Sequence, residues 1–474
     1  MDFDKNNHFL KSSFDYFKNN KKKRISFVKN KSFLFSEISN FLNNCISDSK
    51  KIIFFCCGNS LISKYVNSNN KYIQEIDNSY NDELLISNEY TNLNDNYEGI
   101  IKEVDHIIIA DIEHQKNPSR SLLQISKKIN DDARIIVLSK SFFWFFLIRI
   151  LKNIFSEFAP KNYNFLPTNY LNNLFNICNL EVVRTEKIIA FPIYIPFITS
   201  IINKLFRLPL LNFFCINNLT ILKKIESNKK RLDTQKISIV IPCKNEEKNI
   251  PLFKDNLINL GKETEFLFGN DKSEDKTAEE VKKLNSDDQN LDIVLYEAPG
   301  VCKSENVYKG IEESSGDIIV IYDADLTVDF EDVALCLRIF TGTNADFLNC
   351  TRMIYPQNNN AMKKTNFLGN MTFAFLFSVL FKSKITDTLC GTKIFYKKDW
   401  NKIKKDVSSW GAKDLWGDFD LLIGAYKNNL KLIEFPVTYY ERTEGITKMT
   451  SVFKNGTRML WIVIYSFYKL RLKN

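Results

Sequence analysis

The sequence is poor in several things, and each shortage removes a class of protein. It has only three histidines, His8, His106 and His114, too few and too scattered to favour a histidine-based zinc site. Its ten cysteines contain no CxxC pair, and the one adjacent pair, Cys56-Cys57, lies in an apolar run. Reduced, buried fillers are therefore expected rather than a disulfide frame. No uninterrupted apolar run reaches the ~18–20 residues of a membrane-spanning helix. The longest, Ile188 to Ile202, is broken by Pro192 and Pro196, and the aromatic run from Ser141 ends at Arg149 and Lys152. The start, Met1-Asp2-Phe3-Asp4, is acidic and polar and does not read as a secretory leader. A cytoplasmic protein is expected, with a peripheral seat on the inner membrane left open.

What is present is ordinary for a globular chain. The 474 residues are 44% hydrophobic and 26% charged, which excludes wholesale disorder and a fibrous rod. The net charge of +9 is mildly basic. It suits an anionic ligand or membrane surface and does not call for nucleic acid. The polar, aperiodic stretch 223–235 reads as a linker, dividing a first domain at 1–222 from a second at 236–474.

Both halves alternate between apolar runs and helix-compatible stretches, which predicts two α/β domains with largely parallel sheets. In the first half, strands are expected at Ile52–Cys56, His106–Ile109 and Arg134–Leu138, with Leu122, Ile125 and Ile129 on one helical face. Phe142 to Phe155 and Ile188 to Cys215 form an apolar helical cap or a membrane-facing surface. In the second half, strands are expected at Ile237–Ile241, Phe266–Phe268, Ile293–Tyr296 and Asp317–Tyr322. Between them lie polar, helix-compatible stretches at Glu246–Leu260, Lys276–Leu284 and Lys303–Glu313, and ligand binding is expected at the carboxyl ends of the strands.

The strongest chemical signal is the buried run Ile318-Ile319-Val320-Ile321-Tyr322, which delivers Asp323 and Asp325 to a strand end. Paired hard oxygen donors suit Mg²⁺ or Mn²⁺ bridging a diphosphate. Before it stand Pro242-Cys243-Lys244-Asn245-Glu246-Glu247-Lys248-Asn249 and Asn270-Asp271-Lys272-Ser273-Glu274-Asp275-Lys276-Thr277. After it come Thr351-Arg352, Asp387-Thr388-Leu389-Cys390-Gly391-Thr392-Lys393, Trp416-Gly417-Asp418-Phe419-Asp420, and Arg442-Thr443-Glu444-Gly445-Ile446-Thr447-Lys448.

In this order the motifs resemble the family 2 glycosyltransferases of GT-A fold, in the branch of polyprenyl- and dolichyl-phosphate sugar transferases. The resemblance covers residues 236–474. It implies an inverting, metal-dependent transfer of a sugar from a nucleoside-diphosphate sugar to a polyprenyl phosphate or a cell-surface glycan precursor. By match to the family motifs, Pro242, Asn245, Glu246, Asp271, Lys303 and Asp323 fall at nucleotide-binding positions. Asp323 and Asp325 fall at the metal pair. Arg352, Lys393, Arg442 and Lys448 fall at phosphate- or acceptor-binding positions. Asp418 is the first candidate for a general base, followed by Asp420 and Asp387. A lipid-phosphate acceptor, already an anion, would need no base. Structural alternatives stay open at this point: Asp271 suits turn chemistry, and Lys303 suits a solvated helix start. The basic end, Lys454, Arg458, Lys469, Arg471 and Lys473 interleaved with Leu460, Trp461, Ile464 and Phe467, fits either an anionic membrane or a surface helix.

The first half resembles a class I SAM-dependent methyltransferase domain, as in bacterial proteins that fuse such a Rossmann-like domain ahead of a glycosyltransferase. In Ile53-Phe54-Phe55-Cys56-Cys57-Gly58-Asn59-Ser60 only Gly58 of three expected glycines remains, and Phe54 replaces the acid. Glycine permits close backbone approach to a cofactor, so SAM binding is not expected. Asp77 stands near the ribose-binding acidic position, and Asp111-Ile112-Glu113-His114 matches the run after strand four in part. Two other classes stay in view: a methyltransferase acting on a glycan, with a sugar-binding second half, and a non-catalytic scaffold in glycan assembly.

Overall fold

The computed structural model describes residues 32–46, 51–55, 61–68, 70–74, 91–92, 97–110, 112–114, 118–141, 143–144, 166–192, 194–208, 211–225, 232–254, 257–287, 291–355, 362–442, 444 and 452–472. It divides into two compact units, Met1–Glu226 with Arg471–Asn474, and Ser227–Leu470.

The first unit holds seven strands in the order β3-β2-β1-β4-β5-β7-β6. They are β1 (Lys51–Phe55), β2 (Asn70–Gln74), β3 (Thr91–Asn92), β4 (His106–Ile109), β5 (Arg134–Lys140), β6 (Leu180–Ile188) and β7 (Asn217–Lys224). The strands β1 to β5 pair in parallel, while β7 runs antiparallel to both β5 and β6. Its helices include α1 (Ser32–Cys45), α2 (Pro118–Lys128), α3 (Thr168–Ile177) and α4 (Ile198–Leu205). Successive residues of β1 enter opposite cores. Ile52 and Phe54 join the cluster with Phe41 and Leu42 of α1. Ile53 and Phe55 join the cluster with Leu122 and Ile125 of α2, where Ile129 also packs. A sheet covered on both faces explains why its strands read as unbroken apolar runs.

The second unit holds β8 (Lys236–Cys243), β9 (Glu263–Asn270), β10 (Asp292–Glu297), β11 (Ile318–Ile321), β12 (Phe347–Thr351), β13 (Lys393–Tyr396) and β14 (Leu432–Pro436). Their order is β10-β9-β8-β11-β13-β12-β14, with β13 the antiparallel member. The helices that matter below are α5 (Thr277–Asp287), α6 (Lys303–Glu313), α7 (Phe330–Gly342), α8 (Lys364–Phe381), α9 (Asp418–Lys427) and α10 (Val452–Phe467). Alternation works here as well. Ile237, Ile239, Ile241, Ile318 and Val320 face one core with Val333 and Leu337 of α7. Val240, Ile319 and Ile321 face the other, with Val307 of α6, Phe377 of α8 and Phe419 of α9. Each fully buried Ile or Val contributes about 1.5–3 kcal/mol.

Two expectations are corrected. Among the described residues of the helix-compatible stretch Glu246–Leu260 no α-helix forms, and a 3₁₀ turn stands at Ile250–Phe253. Pro251 has no N–H to donate, and the loop before it is fastened by side chains instead: Asn245 N donates to Ser273 Oγ (3.0 Å) and Glu246 N to Thr277 Oγ1 (2.8 Å). Lys223 and Lys224, expected in the linker, complete β7 through pairing with β5 and β6. The eight cysteines among the described residues are free thiols, all buried except Cys302. Cys56, Cys57, Gly58, Asp77 and Asp111 lie outside the described residues, as do Phe142 and 145–155 of the first apolar stretch. No helix among the described residues is long and apolar enough to cross a membrane.

Candidate functional site

From β8 the chain winds outward through β9 and β10, then crosses to the other side of β8 to form β11. The carboxyl ends of β8 and β11 thus flank a topological switch point, where open α/β sheets leave a crevice for ligands. The loops after β8, β9 and β11 each hold one residue strained in the same way. Asn245, Lys272 and Leu326 have φ of 52°, 53° and 53°. Asn tolerates this left-handed region; Lys and especially Leu do so at a cost. Such strain persists where surroundings over-determine it and gathers at functional sites. Lys272 directly follows Asp271, and Leu326 directly follows Asp325.

At the end of β9, Asp271 is 4% exposed. Its N–H donates to Cys243 O (2.8 Å), and its Oδ2 faces Lys244 Nζ at 3.6 Å. Its Oδ1 is buried with no hydrogen-bond partner in the protein, which is costly for a carboxylate oxygen unless a ligand donor reaches it. The two loops that rim this point are stitched together. Asn245 Oδ1 accepts from Glu274 N (2.9 Å), and Asp275 Oδ2 accepts from Glu247 N (3.1 Å). Burial opposes the charge on Asp275, but the Thr277 hydroxyl and the backbone donors hold its pKa below the usual range. Glu246 accepts from Asn249 Nδ2 at 2.6 Å, and Pro242 is the penultimate residue of β8.

At the end of β11 the two aspartates are each matched with a cation. Lys303, the first residue of α6, bonds Asp323 Oδ1. Arg442 meets Asp325 Oδ2 at 2.7 Å, while Asp325 Oδ1 accepts from Thr327 Oγ1 at 2.8 Å. Burial works against the charge on Asp323, but Lys303 outweighs it and keeps the carboxyl below its ordinary value; Lys303 is raised reciprocally by Asp323. About a third (33%) of the Asp323 side chain stays open to solvent. Gly391 is the reason it can lie there. A Cβ on Gly391 would sit 2.3 Å from Asp323 Oδ2. Among the described residues no third His, Cys, Asp or Glu completes a metal-holding cluster. Two carboxylates alone fit an ion such as Mg²⁺, which takes its remaining ligands from water and a substrate's phosphates.

Beyond this pair lies a buried polar network. Asp387 is 0% exposed and grips Arg352 through two bonds, Nε to Oδ2 at 2.8 Å and Nη2 to Oδ1 at 3.0 Å. Asn370 of α8 and Leu389 N also donate to Oδ1, at 2.7 and 2.9 Å. Burial is overcome by Arg352, and the Asp387 pKa is held at about 2. The Arg352 guanidinium lies 5.0 Å from the centre of the Tyr439 ring. Behind Asp387, Glu434 of β14 accepts from Asn349 (3.0 Å) and from the Thr386 amide and hydroxyl (2.8 Å each); its burial raises its pKa. Lys393 of β13 is fully buried against Asp418 Oδ1 at 2.6 Å. Asp420 points elsewhere, accepting from Tyr308 Oη (2.9 Å) and Ser408 N (3.2 Å). Burial first, then Asp414, pushes its pKa up to about 7. Asp414 itself caps α9, accepting from the Phe419 and Asp420 amides at 2.8 and 3.1 Å.

The three aspartates expected as bases are thus each held by a neighbour: Asp418 by Lys393, Asp387 by Arg352, Asp420 by Tyr308. Lys448 lies outside the described residues. Sequence reasoning overlooked Asn370, Glu434, Tyr308 and Asp414. A lone Asn in the apolar helix Phe367-Leu368-Gly369-Asn370-Met371 was the available signal for the first; the others carried none. A depression of about 440 Å³ among Leu232, Asn259, Gly261 and Arg338 lies by the amino ends of β8 and β9, the wrong end for this chemistry.

The acidic ends of β9 and β11, ion-paired to lysine and arginine, lie around the switch point of the second sheet. Residues 238–403, within the second unit, match the family described as Glycosyl transferase family 2. A dolichyl-phosphate beta-glucosyltransferase of Trichomonas vaginalis is 25% identical over 248 residues, 48% of this chain and 73% of that protein. An undecaprenyl-phosphate 4-deoxy-4-formamido-L-arabinose transferase of Pectobacterium carotovorum is 27% identical over 105 residues, 21% of this chain and 32% of that protein. Among solved structures, glucosyl-3-phosphoglycerate synthase from Mycobacterium tuberculosis in complex with uridine diphosphate overlaps 51% of this chain and 85% of its own, with a TM-score of 0.37 and 14% identity.

Proposed function

We propose that the second unit transfers a sugar from a nucleoside-diphosphate sugar to a polyprenyl phosphate or a related cell-surface glycan precursor, with inversion at the anomeric carbon. One observation carries this reading. Asp323 and Asp325, each opposed by a cation, close β11, while the orphaned Asp271 Oδ1 closes β9 on the far side of β8. Two strand spacings are ~10 Å, a span a nucleoside diphosphate covers. Asp271 would accept from the base or ribose. Lys303 and Arg442 would exchange carboxylate partners for phosphate oxygens, as charge-assisted donors do. Asp323 and Asp325 would hold Mg²⁺ or Mn²⁺, which supplies charge neutralisation to the departing diphosphate.

The acceptor is inferred from the state of the candidate bases. A carboxylate with a pKa of about 2 has little drive to take a proton at neutral pH. Asp418 is neutralised by a buried lysine, and Asp420, whose pKa is suited to proton transfer, is spent on Tyr308. A site so arranged is suited to an acceptor that arrives as an anion, and a lipid phosphate is one. Arg352 and Lys393 are then the positive residues that Asp387 and Asp418 hold in place for it.

The same unit presents apolar stripes to solvent. Leu368, Met371 and Phe375 of α8, and Leu460, Trp461 and Ile464 of α10, are all exposed. No acidic residue occurs between Asp346 and Asp387, or after Glu444. Both features favour peripheral contact with an anionic membrane. The first unit is read as a methyltransferase-type domain without SAM chemistry, because the stretch Cys56–Ser60 that follows β1 has lost two of its three glycines. Saturable micromolar SAM binding in calorimetry would refute that part.

The decisive test is Asp325→Asn, assayed with Mn²⁺, a panel of sugar nucleotides and a polyprenyl phosphate. Transfer should vanish, while thermal unfolding of the second unit stays within a few degrees of wild type. Retained turnover would contradict the metal assignment.

A further inference from the structure

We infer that the first unit docks on an anionic lipid bilayer through α4 and the turns beside it. This deepens the reading of peripheral contact by giving the first unit its own lipid-facing surface, and it stands or falls without the transferase chemistry.

The carrying observation is that α4 is built inside out. Its buried residues are polar, Thr199 and Asn203, the latter 0% exposed. Of its apolar residues, Ile198, Ile201 and Leu205 face solvent and Ile202 is half-buried. A helix on a soluble domain does the reverse. The inversion is not loose packing. Asn203 Oδ1 accepts from Ala190 N (3.0 Å) and Phe191 N (2.8 Å), and its Nδ2 donates to Phe191 O (3.1 Å). Thr199 Oγ1 accepts from Ile195 N at 2.8 Å. These bonds use the polar side chains to satisfy the backbone of the segment before the helix, and so fix which face looks outward. Ahead of the helix, Phe197 is 87% exposed and held at φ 63°, a strained conformation for an aromatic residue. Nearby in sequence the 3₁₀ turn Asn212–Phe214 adds the exposed rings of Phe213 and Phe214.

Charge selects the occupant. Between Glu186 and Glu226 there is no acidic residue, while Lys187, Lys204 and Arg207 flank or lie on this segment; Lys223 and Lys224 are at the far end of β7, the first buried and the second paired with Asp131 (2.9 Å). Of these, Lys204 lies on α4 itself and Arg207 is buried beside Glu37 (3.8 Å). An aromatic and aliphatic face with only positive charge in its sequence neighbourhood suits the headgroup and acyl boundary of an anionic bilayer.

The test uses the full chain and vesicles of phosphatidylcholine, with or without about one-third phosphatidylglycerol. Wild type should co-float with the anionic vesicles and less so at high salt. The double substitution Phe197→Ser, Ile201→Ser removes only exposed groups. It should lower the partition coefficient about tenfold or more with the thermal midpoint unchanged. Separately, Phe197→Trp should gain fluorescence quenching by brominated acyl chains over the wild-type background, which reports depth at this face alone. Flotation of the double variant equal to wild type, or no added quenching, overturns the proposal. So does light scattering in which the double variant turns a dimer into a monomer while vesicle binding is unaltered, which would assign the face to a second copy of this chain. No sugar donor enters any arm, so failure here leaves the transfer reaction to its own assay.

Discussion

Gly391→Ala should silence the second unit while leaving it folded, because a missing methyl group is what lets Asp323 occupy its place. Gly391 has no positive φ, so alanine meets no backbone objection. The objection is steric. The new Cβ would lie 2.3 Å from Asp323 Oδ2 and 2.7 Å from both Cγ and Oδ1. Ordinary contact begins at about 3.5 Å, so the carboxylate must retreat by about 1 Å. Turning about its own bond is no escape, since all three atoms are crowded together, and Lys303 holds the other oxygen. Misplacing a catalytic group by about 1 Å costs on the order of 100-fold, or about 2.7 kcal/mol of barrier. Crowding at a partly open side chain should cost stability less, about 1–2 kcal/mol. The assay pairs kcat/KM for sugar transfer in Mn²⁺ with a urea midpoint for the same preparation. A variant within threefold of wild-type turnover would refute the argument that Asp323 works at the position seen. Loss of activity in step with loss of folding would show Gly391 to be merely structural.

Three further outcomes are expected. Asp420 has a folded pKa of about 7 against an unfolded value near 4; the folded state binds the extra proton between those values, so stability should fall as pH rises from about 4 to 7. Asp420→Asn should flatten that decline, gaining relative to wild type at pH 8 and not at pH 4, as read by chemical denaturation at both. Asp387 is the opposite case. Its folded pKa of about 2 means its contribution is complete above pH 4 and lost on falling to pH 2. Asp387→Asn should therefore cost about 3–5 kcal/mol at pH 7, chiefly by stranding Arg352, and the penalty should shrink below pH 3. Asn370→Leu fills the same volume but removes one bond to Asp387 and both bonds to Thr388. It should raise KM for the lipid acceptor more than for the sugar nucleotide, with the split measured in steady-state kinetics.

The elements of the sheets were legible because both halves bury strands on two faces, which prints runs such as Ile318-Ile319-Val320-Ile321 into the sequence. The helix-compatible stretch Lys303–Glu313 coincides with α6 for a related reason: its buried positions Val307 and Ile311 recur at helical spacing. Glu246–Leu260 misled because its polar composition is compatible with a helix, whereas its hydrogen bonds go to side chains across the 273–277 loop. The residues that the motif order proposes for the nucleotide side fall at the ends of β8, β9 and β11 and at the start of α6. Their partners were not legible. That Asp387 faces Arg352, or that Asp418 faces Lys393, depends on pairing between segments 25 to 35 residues apart, and no local pattern carries that. Glu434 was hidden for the same reason, since it reaches Asp387 from a strand 47 residues on.

These pairings bear on what the carboxylates are for. An enzyme that must deprotonate a neutral hydroxyl needs one carboxylate kept free and moderately basic at the reacting atoms. Here the acid with a suitable pKa, Asp420, is buried against Tyr308 and Ser408, and the acids nearer the strand ends are matched one for one with Lys303, Arg442, Arg352 and Lys393. Matching of this kind holds cations in fixed places without leaving net charge buried. On the proposed reading, entering phosphate groups would meet cations already oriented, and the carboxylates those cations leave would be free to take a divalent ion. Such an arrangement is suited to stabilising charge rather than moving protons, and that is the work the proposed transfer between two phosphate-bearing substrates would demand.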